Sequence, residues 1–215
     1  MNETVKRTIT ASILLIVGAV LWFFFPPYVI SLLLGVTLGY ILLVEWPPLN
    51  PFRGRLVPAC LFTLVYPVLP FCLLIAFNQC MGDIGRHFLL FLCFITFAHD
   101  TGAYIFGKLY GRHKIMPSVS PHKSWEGFFG GYACSLIVAF LFVYRAYVTI
   151  NVLGLPLYVL LLNIAGLAGD MFESYLKRRA GVKDSGTLLP GHGGLLDRFD
   201  SILFAATAFF IVILL

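Results

Sequence analysis

Seven apolar runs, each close to the length of a bilayer crossing, leave this chain little choice of architecture. A crossing takes about 20 predominantly apolar residues. The runs lie near residues 8–25, 27–44, 56–77, 88–107, 126–147, 153–176 and 201–215. In hydrocarbon every backbone N–H and C=O has to be satisfied within the segment, so such runs become helices. Only 12% of the 215 residues are charged, against about 25% in a soluble domain. The expected fold is all-α: a polytopic integral membrane protein with about seven transmembrane helices in a single membrane domain. Residues 1–90 supply N-terminal helices, and residues 91–215 carry most of the polar loops.

Local signals refine the count. Pro26-Pro27 separates the first two runs and predicts a tight hairpin, since proline ends one helix and starts the next. Pro58, Pro67 and Pro70 predict a kink in the third run. The last run is short. The first lacks a small-residue cleavage site and is read as retained rather than as a signal peptide. The five cysteines form no C-x-x-C pair, so they read as small hydrophobes rather than zinc ligands or a disulfide framework.

Loop charge gives the orientation, because cytoplasmic loops collect Lys and Arg. With the N-terminus in the cytoplasm, that side holds Lys6, Arg7, Arg53, Arg55, Lys108, Arg112, Lys114, Lys123, Lys177, Arg178, Arg179, Lys183 and Arg198. Only Arg86 and Arg145 fall on the other side. The basic balance of +5 therefore speaks of topology and not of nucleic acid. Topology alone accounts for Arg53, Arg55, Arg112 and Lys114.

It does not account for Gly169–Ser201. That segment holds Asp170, Glu173, Asp184, Asp197 and Asp200, half of the ten acidic residues, among five basic ones. Charge near hydrocarbon costs roughly 2.5–3.5 kcal/mol per group on insertion scales, so the concentration implies a site. If the sixth run stays helical through Arg178, Asp170, Glu173, Ser174 and Lys177 share one face. The chain then leaves the helix near Gly181, and Gly186, Pro190, Gly191, Gly193 and Gly194 force a compact loop. Consecutive glycines let backbone N–H groups approach an anion. Asp197 and Asp200 open the last helix one turn apart. Two carboxylate faces flanking a glycine loop can converge on a metal pair. A structural ion-pair network is the blander alternative.

At these residues the chain resembles the phosphatidate cytidylyltransferases, or CDP-diacylglycerol synthases. The matching elements are Ser174, Lys177-Arg178, Lys183-Asp184, Pro190, His192-Gly193-Gly194, Asp197-Arg198 and Asp200, preceded by Gly169-Asp170. Upstream, Asp100-Thr101-Gly102-Ala103-Tyr104 and Ser120–Gly127 are similar to two further family stretches, with His122 where the family usually has Lys. The resemblance spans roughly residues 95–215. The chain is short beside common bacterial members, and one or two of their N-terminal helices are expected to be missing from it.

The resemblance implies that CTP and phosphatidic acid give CDP-diacylglycerol and pyrophosphate, for phospholipid biosynthesis at the cytoplasmic face of a bacterial inner membrane. It implies Mg²⁺, with two cation sites, and allows a homodimer. Asp170 and Asp197 become the leading metal ligands, expected to meet at one metal centre, with Glu173 and Asp200 next as ligands or orienters. Lys177, Arg178, Lys183, Asp184, His192, Arg198 and Asp200 are the catalytic candidates. Lys123, Ser174, Ser185, Gly193 and Gly194 are candidates for substrate contact. Arg179 is expected to face lipid headgroups, Trp125 to anchor at the interface, and His87 and His113 to be solvated loop residues. Asp100, beside His99 inside the fourth run, is either functional or hydrogen-bonded to a neighbouring helix.

Two rivals stand beside this reading. A related CTP-dependent enzyme acting on another lipid, a CDP-archaeol synthase or a polyprenol kinase, would use similar headgroup chemistry. A small transporter would line a pathway with the same charges, but it often shows paired repeats and midplane sites, whereas here the charge lies at one face and no repeat is visible.

Overall fold

A computed structural model describes residues 3–80, 82–145, 152–189, 191 and 193–214. Its helices are α1 (Glu3–Phe24), α2 (Pro27–Leu49), α3 (Leu56–Gln79), α4 (Gly82–Tyr110), α5 (Trp125–Tyr144), α6 (Leu155–Arg179) and α7 (Leu196–Leu214). Among the described residues, five helices (α2 to α6) are long and apolar enough to cross a membrane. The expected all-α membrane character stands. One small addition is a hairpin between α4 and α5, where β1 (Lys114–Met116) pairs antiparallel with β2 (Ser120–Ser124), Lys114 opposite Ser124.

The local signals act as their chemistry dictates. Pro27 occupies the first turn of α2, where its missing N–H costs nothing. Backbone helicity breaks in α3 at Tyr66, φ −148° and ψ 122°, next to Pro67. Helix α2 runs past the expected end at residue 44. It passes through a π-helical turn, Ile41–Glu45, and continues to Leu49. Such turns are frequent at functional sites.

The chain divides into two compact units. One unit comprises α1 to α3 with Leu176–Phe199. In it the Asn78 side chain donates to the Pro27 carbonyl at 2.6 Å and the Ser31 hydroxyl at 2.8 Å, tying α3 to α2. At the other end of α2, Trp46 Nε1 donates to Thr63 Oγ1 at 2.7 Å, and Trp46 stacks on Phe62 with ring centroids 5.4 Å apart.

The second unit comprises α4, α5, α6 as far as Tyr175, and α7 from Asp200. Helices α4 and α5 meet along glycines. A Cβ on Gly127 would stand 2.7 Å from the Ala103 carbonyl oxygen, and one on Gly131 2.5 Å from that of His99. Gly127, Gly131 and Ser135 follow one another at four-residue spacing, the small-residue pattern that lets membrane helices approach closely. Asn163 of α6 donates to Ser135 Oγ at 2.6 Å. Gly169 gives α7 its approach to α6, since a Cβ there would lie 2.4 Å from the Asp200 carbonyl oxygen.

Candidate functional site

Helix α6 extends through Arg179, and how it ends shapes the first cluster. The Gly181 N–H donates to Arg178 O at 3.1 Å and the Val182 N–H to Lys177 O at 3.0 Å, with Gly181 at φ +74°. This is a Schellman ending, in which glycine takes the left-handed position without a Cβ penalty. The chain turns away at once into a loop, described at 182–189, 191 and 193–195. Leu189 N–H donates to Gly193 O at 2.9 Å and pinches the loop shut.

That loop returns to Lys177. Lys177 Nζ donates to Asp197 Oδ1 at 2.6 Å, and both side chains are buried. The other oxygen, Asp197 Oδ2, accepts from Ser185 N at 2.9 Å, Ser185 Oγ at 3.0 Å and Gly194 N at 2.7 Å. Burial works against the charge on Asp197. The Lys177 ammonium and the loop donors outweigh it and hold the carboxyl below the ordinary carboxylate value. Gly193 is required twice: its φ is +80°, and a Cβ on it would stand 2.6 Å from Asp197 Oδ2.

Ser185 and Gly194, both candidates for substrate contact, donate to Asp197 in this fold. The negative charge they satisfy is the protein's own, because a buried carboxylate needs several donors.

The same loop reaches a residue that the sequence reading passed over. Glu45, fully buried at the π-turn of α2, accepts from Leu195 N and Leu196 N, each at 2.8 Å, and from Ser185 Oγ at 3.1 Å. A signal was available: a lone acid at the end of an apolar run is functional by default.

The second cluster lies in the other unit. Asp170 on α6 pairs through Oδ2 with Lys123 Nζ, and its Oδ1 accepts from Ser174 Oγ at 3.2 Å. Lys123 comes from β2, the hairpin strand. Ser124 follows it and caps α5, its Oγ accepting from Gly127 N at 3.2 Å. The hairpin is pinned in turn by Glu126, which accepts from Arg112 N at 3.1 Å and makes a 2.6 Å contact with His113 Nδ1. His113 is therefore exposed, as expected of a loop residue, yet partnered.

Other predicted site residues are placed more loosely. Glu173 is fully buried on α6. Arg178, Lys183, Asp184 and Arg198 are exposed, and Asp200 is half-buried. Arg178 Nη1 donates to Val182 O at 3.4 Å. Arg179 and Trp125 are exposed. Asp100 is half exposed, with His99 Nδ1 at 3.5 Å. Pro190 and His192 lie outside the described residues.

The donor set suits a hard cation. Each Asp170 oxygen takes one donor, so each keeps acceptor capacity. Asp197 keeps it at Oδ1. Among the described residues no three His, Cys, Asp or Glu converge as a ready cage. Mg²⁺ takes one or two carboxylates and completes its shell with water and substrate phosphates, so a carboxylate with spare acceptor capacity could serve it.

The described residues thus combine apolar helices of spanning length, a buried lysine–carboxylate pair at a glycine loop in one unit, and a second lysine–carboxylate pair in the other unit. The chain belongs to the cytidylyltransferase family, whose model matches residues 7–215. A phosphatidate cytidylyltransferase of Staphylococcus haemolyticus is 44% identical over 155 residues, covering 72% of this chain and 58% of that relative. Phosphatidate cytidylyltransferases of Staphylococcus aureus and Staphylococcus epidermidis match over the same shares at 44% and 43% identity. The chain thus matches less than two thirds of the length of these relatives.

Proposed function

We propose that the chain transfers the cytidylyl group of CTP to phosphatidic acid, giving CDP-diacylglycerol and pyrophosphate. The 44% identity to relatives named for this reaction carries the reading. The two lysine–carboxylate pairs support it. A lipid phosphate oxygen attacks the α-phosphorus of CTP, and the bond from that phosphorus to the bridging oxygen of the β-phosphate breaks. The nucleophile is already anionic, so it needs little help from a base. The difficulty is gathering two polyanions and stabilising the leaving charge.

Lys177 and Lys123 are ammonium groups held in place by carboxylates, ready to meet phosphate oxygens. Arg178, Lys183 and Arg198 are exposed cations for the triphosphate or the lipid phosphate. Asp170 and Asp197 are each a candidate to hold Mg²⁺, with Glu173 next. Bound Mg²⁺ would neutralise charge on the departing pyrophosphate.

Reconstituted protein given labelled CTP and vesicles containing phosphatidic acid is expected to release pyrophosphate and place label in the lipid fraction. Excess chelator should stop this and Mg²⁺ restore it. Absence of labelled lipid rejects the reading, and full turnover in chelator rejects the metal requirement.

We further propose seven crossings with the N-terminus and residues 182–195 in the cytoplasm of a bacterial cell, which suits cytosolic CTP. The thirteen basic residues assigned to that side support this. Single cysteines placed at 183–189 should react with impermeant reagent only from the cytoplasmic side. Reaction from outside would overturn the orientation.

A further inference from the structure

Glu45 is the largest piece of buried polar chemistry that the reaction itself leaves unexplained. It sits on α2, 140 residues before Ser185 and 150 before Leu195. Three donors converge on it, and all come from the loop and the first turn of α7. The Leu196 amide is among the donors that a helix start leaves without an intrahelical acceptor. Glu45 thus caps α7 from a distant helix, a task usually done by the residue before the helix.

The loop is shaped around this carboxyl. A Cβ on Gly186 would stand 2.8 Å from Glu45 Oε1, and one on Gly194 2.7 Å from the same atom. Two glycines of the loop therefore make room for one side chain. Ser185 links Glu45 onward, because its Oγ lies 3.1 Å from Glu45 Oε2 and 3.0 Å from Asp197 Oδ2. A hydroxyl has one proton to donate, so Ser185 Oγ can serve Glu45 or Asp197 but not both at once, and the two carboxyls share one donor. Gly194, whose amide holds Asp197, is pressed against Glu45 on its other side.

We propose that Glu45 is a positioning residue for cytidylyl transfer. It locks Ser185, Gly194 and the start of α7 so that Asp197 is presented to Lys177 and substrate in one orientation. The kinetic half of this proposal rests on the cytidylyltransferase reading, and the structural half does not.

Glu45→Gln keeps the size and replaces one acceptor oxygen by an NH₂ group. That donor would face the N–H groups of Leu195 and Leu196 or the Ser185 hydroxyl. The full-length variant in detergent is expected to exchange its amides at 193–197 at least ~10-fold faster, with protection elsewhere unchanged. Its kcat is expected to fall about 10- to 100-fold, the usual cost of losing a residue that orients a ligand, with KM for phosphatidic acid within ~3-fold of wild type. Gly186→Ala leaves Glu45 intact and pushes on it. It should give the same local exchange and the same kcat-directed loss, and so provides a second route if the Gln variant folds poorly. Unchanged exchange at 193–197 in both variants overturns the lock, whether or not the chain makes CDP-diacylglycerol. Faster exchange with wild-type kcat overturns the positioning role. An inactive wild type defeats the functional reading and leaves the lock to be judged by exchange alone.

Discussion

Asp197→Asn is expected to lose at least ~10²-fold in turnover and to become less stable. Two causes act together. The substitution removes the charge that holds Lys177, and it offers an NH₂ group to an environment that supplies donors from Lys177, Ser185 and Gly194. Breaking one side of a buried ion pair typically costs about 3–5 kcal/mol, because the remaining charge is left uncompensated. Losing one group that organises transition-state charge costs about 10²–10³ in rate. The double variant Asp197→Asn/Lys177→Met separates these effects. It removes the stranded ammonium and should recover much of the unfolding temperature without recovering turnover. Thermal unfolding in detergent and the lipid-labelling assay give the two readouts. A well-folded Asp197→Asn protein with near-normal turnover would remove Asp197 from the reaction and return the cluster to a purely structural role.

Lys123→Met and Asp170→Asn should show the opposite balance. Their side chains keep 28% and 25% of their exposure, and solvent-accessible pairs contribute only about 0–1 kcal/mol. The unfolding temperature should therefore barely move. Turnover should fall by ~10²-fold or more in each variant, since each loses a group assigned to phosphate or metal. The exchanged pair Lys123→Asp/Asp170→Lys restores opposite charges but reverses which strand or helix carries the cation. It is expected to remain inactive. Recovered activity in the exchanged pair would mean that only the ion pair matters, and it would withdraw both residues from substrate and metal contact.

The parts of the molecule governed by nearest-neighbour chemistry were legible in the sequence. Apolar runs marked the helices, Pro26-Pro27 the break between α1 and α2, and Gly181 the end of α6. The basic and acidic residues of 169–201 marked the stretch in which Lys177, Ser185 and Asp197 come together. What escaped depended on contacts distant in sequence. Glu45 follows directly on a run ending at 44, and nothing near it in the sequence announces partners at 185, 195 and 196. Donor direction also escaped. Gly193-Gly194 reads as an anion cradle, yet only the fold reveals that Asp197 is the anion held by the Gly194 amide. The four-residue spacing of Gly127, Gly131 and Ser135 was visible, but its meaning needed α4 beside it.

The span between Glu45 and its partners also has a consequence for biogenesis. Chains are made at about 5–20 residues per second, so the amides of Leu195 and Leu196, 150 and 151 residues downstream, emerge roughly 8–30 seconds after Glu45. For that interval an acidic side chain waits at the end of an otherwise apolar helix without the donors that satisfy it in the finished protein. Completion of this cluster is therefore a late event in synthesis, and a chain truncated before Leu195 can insert most of its helices yet never close the loop around Glu45.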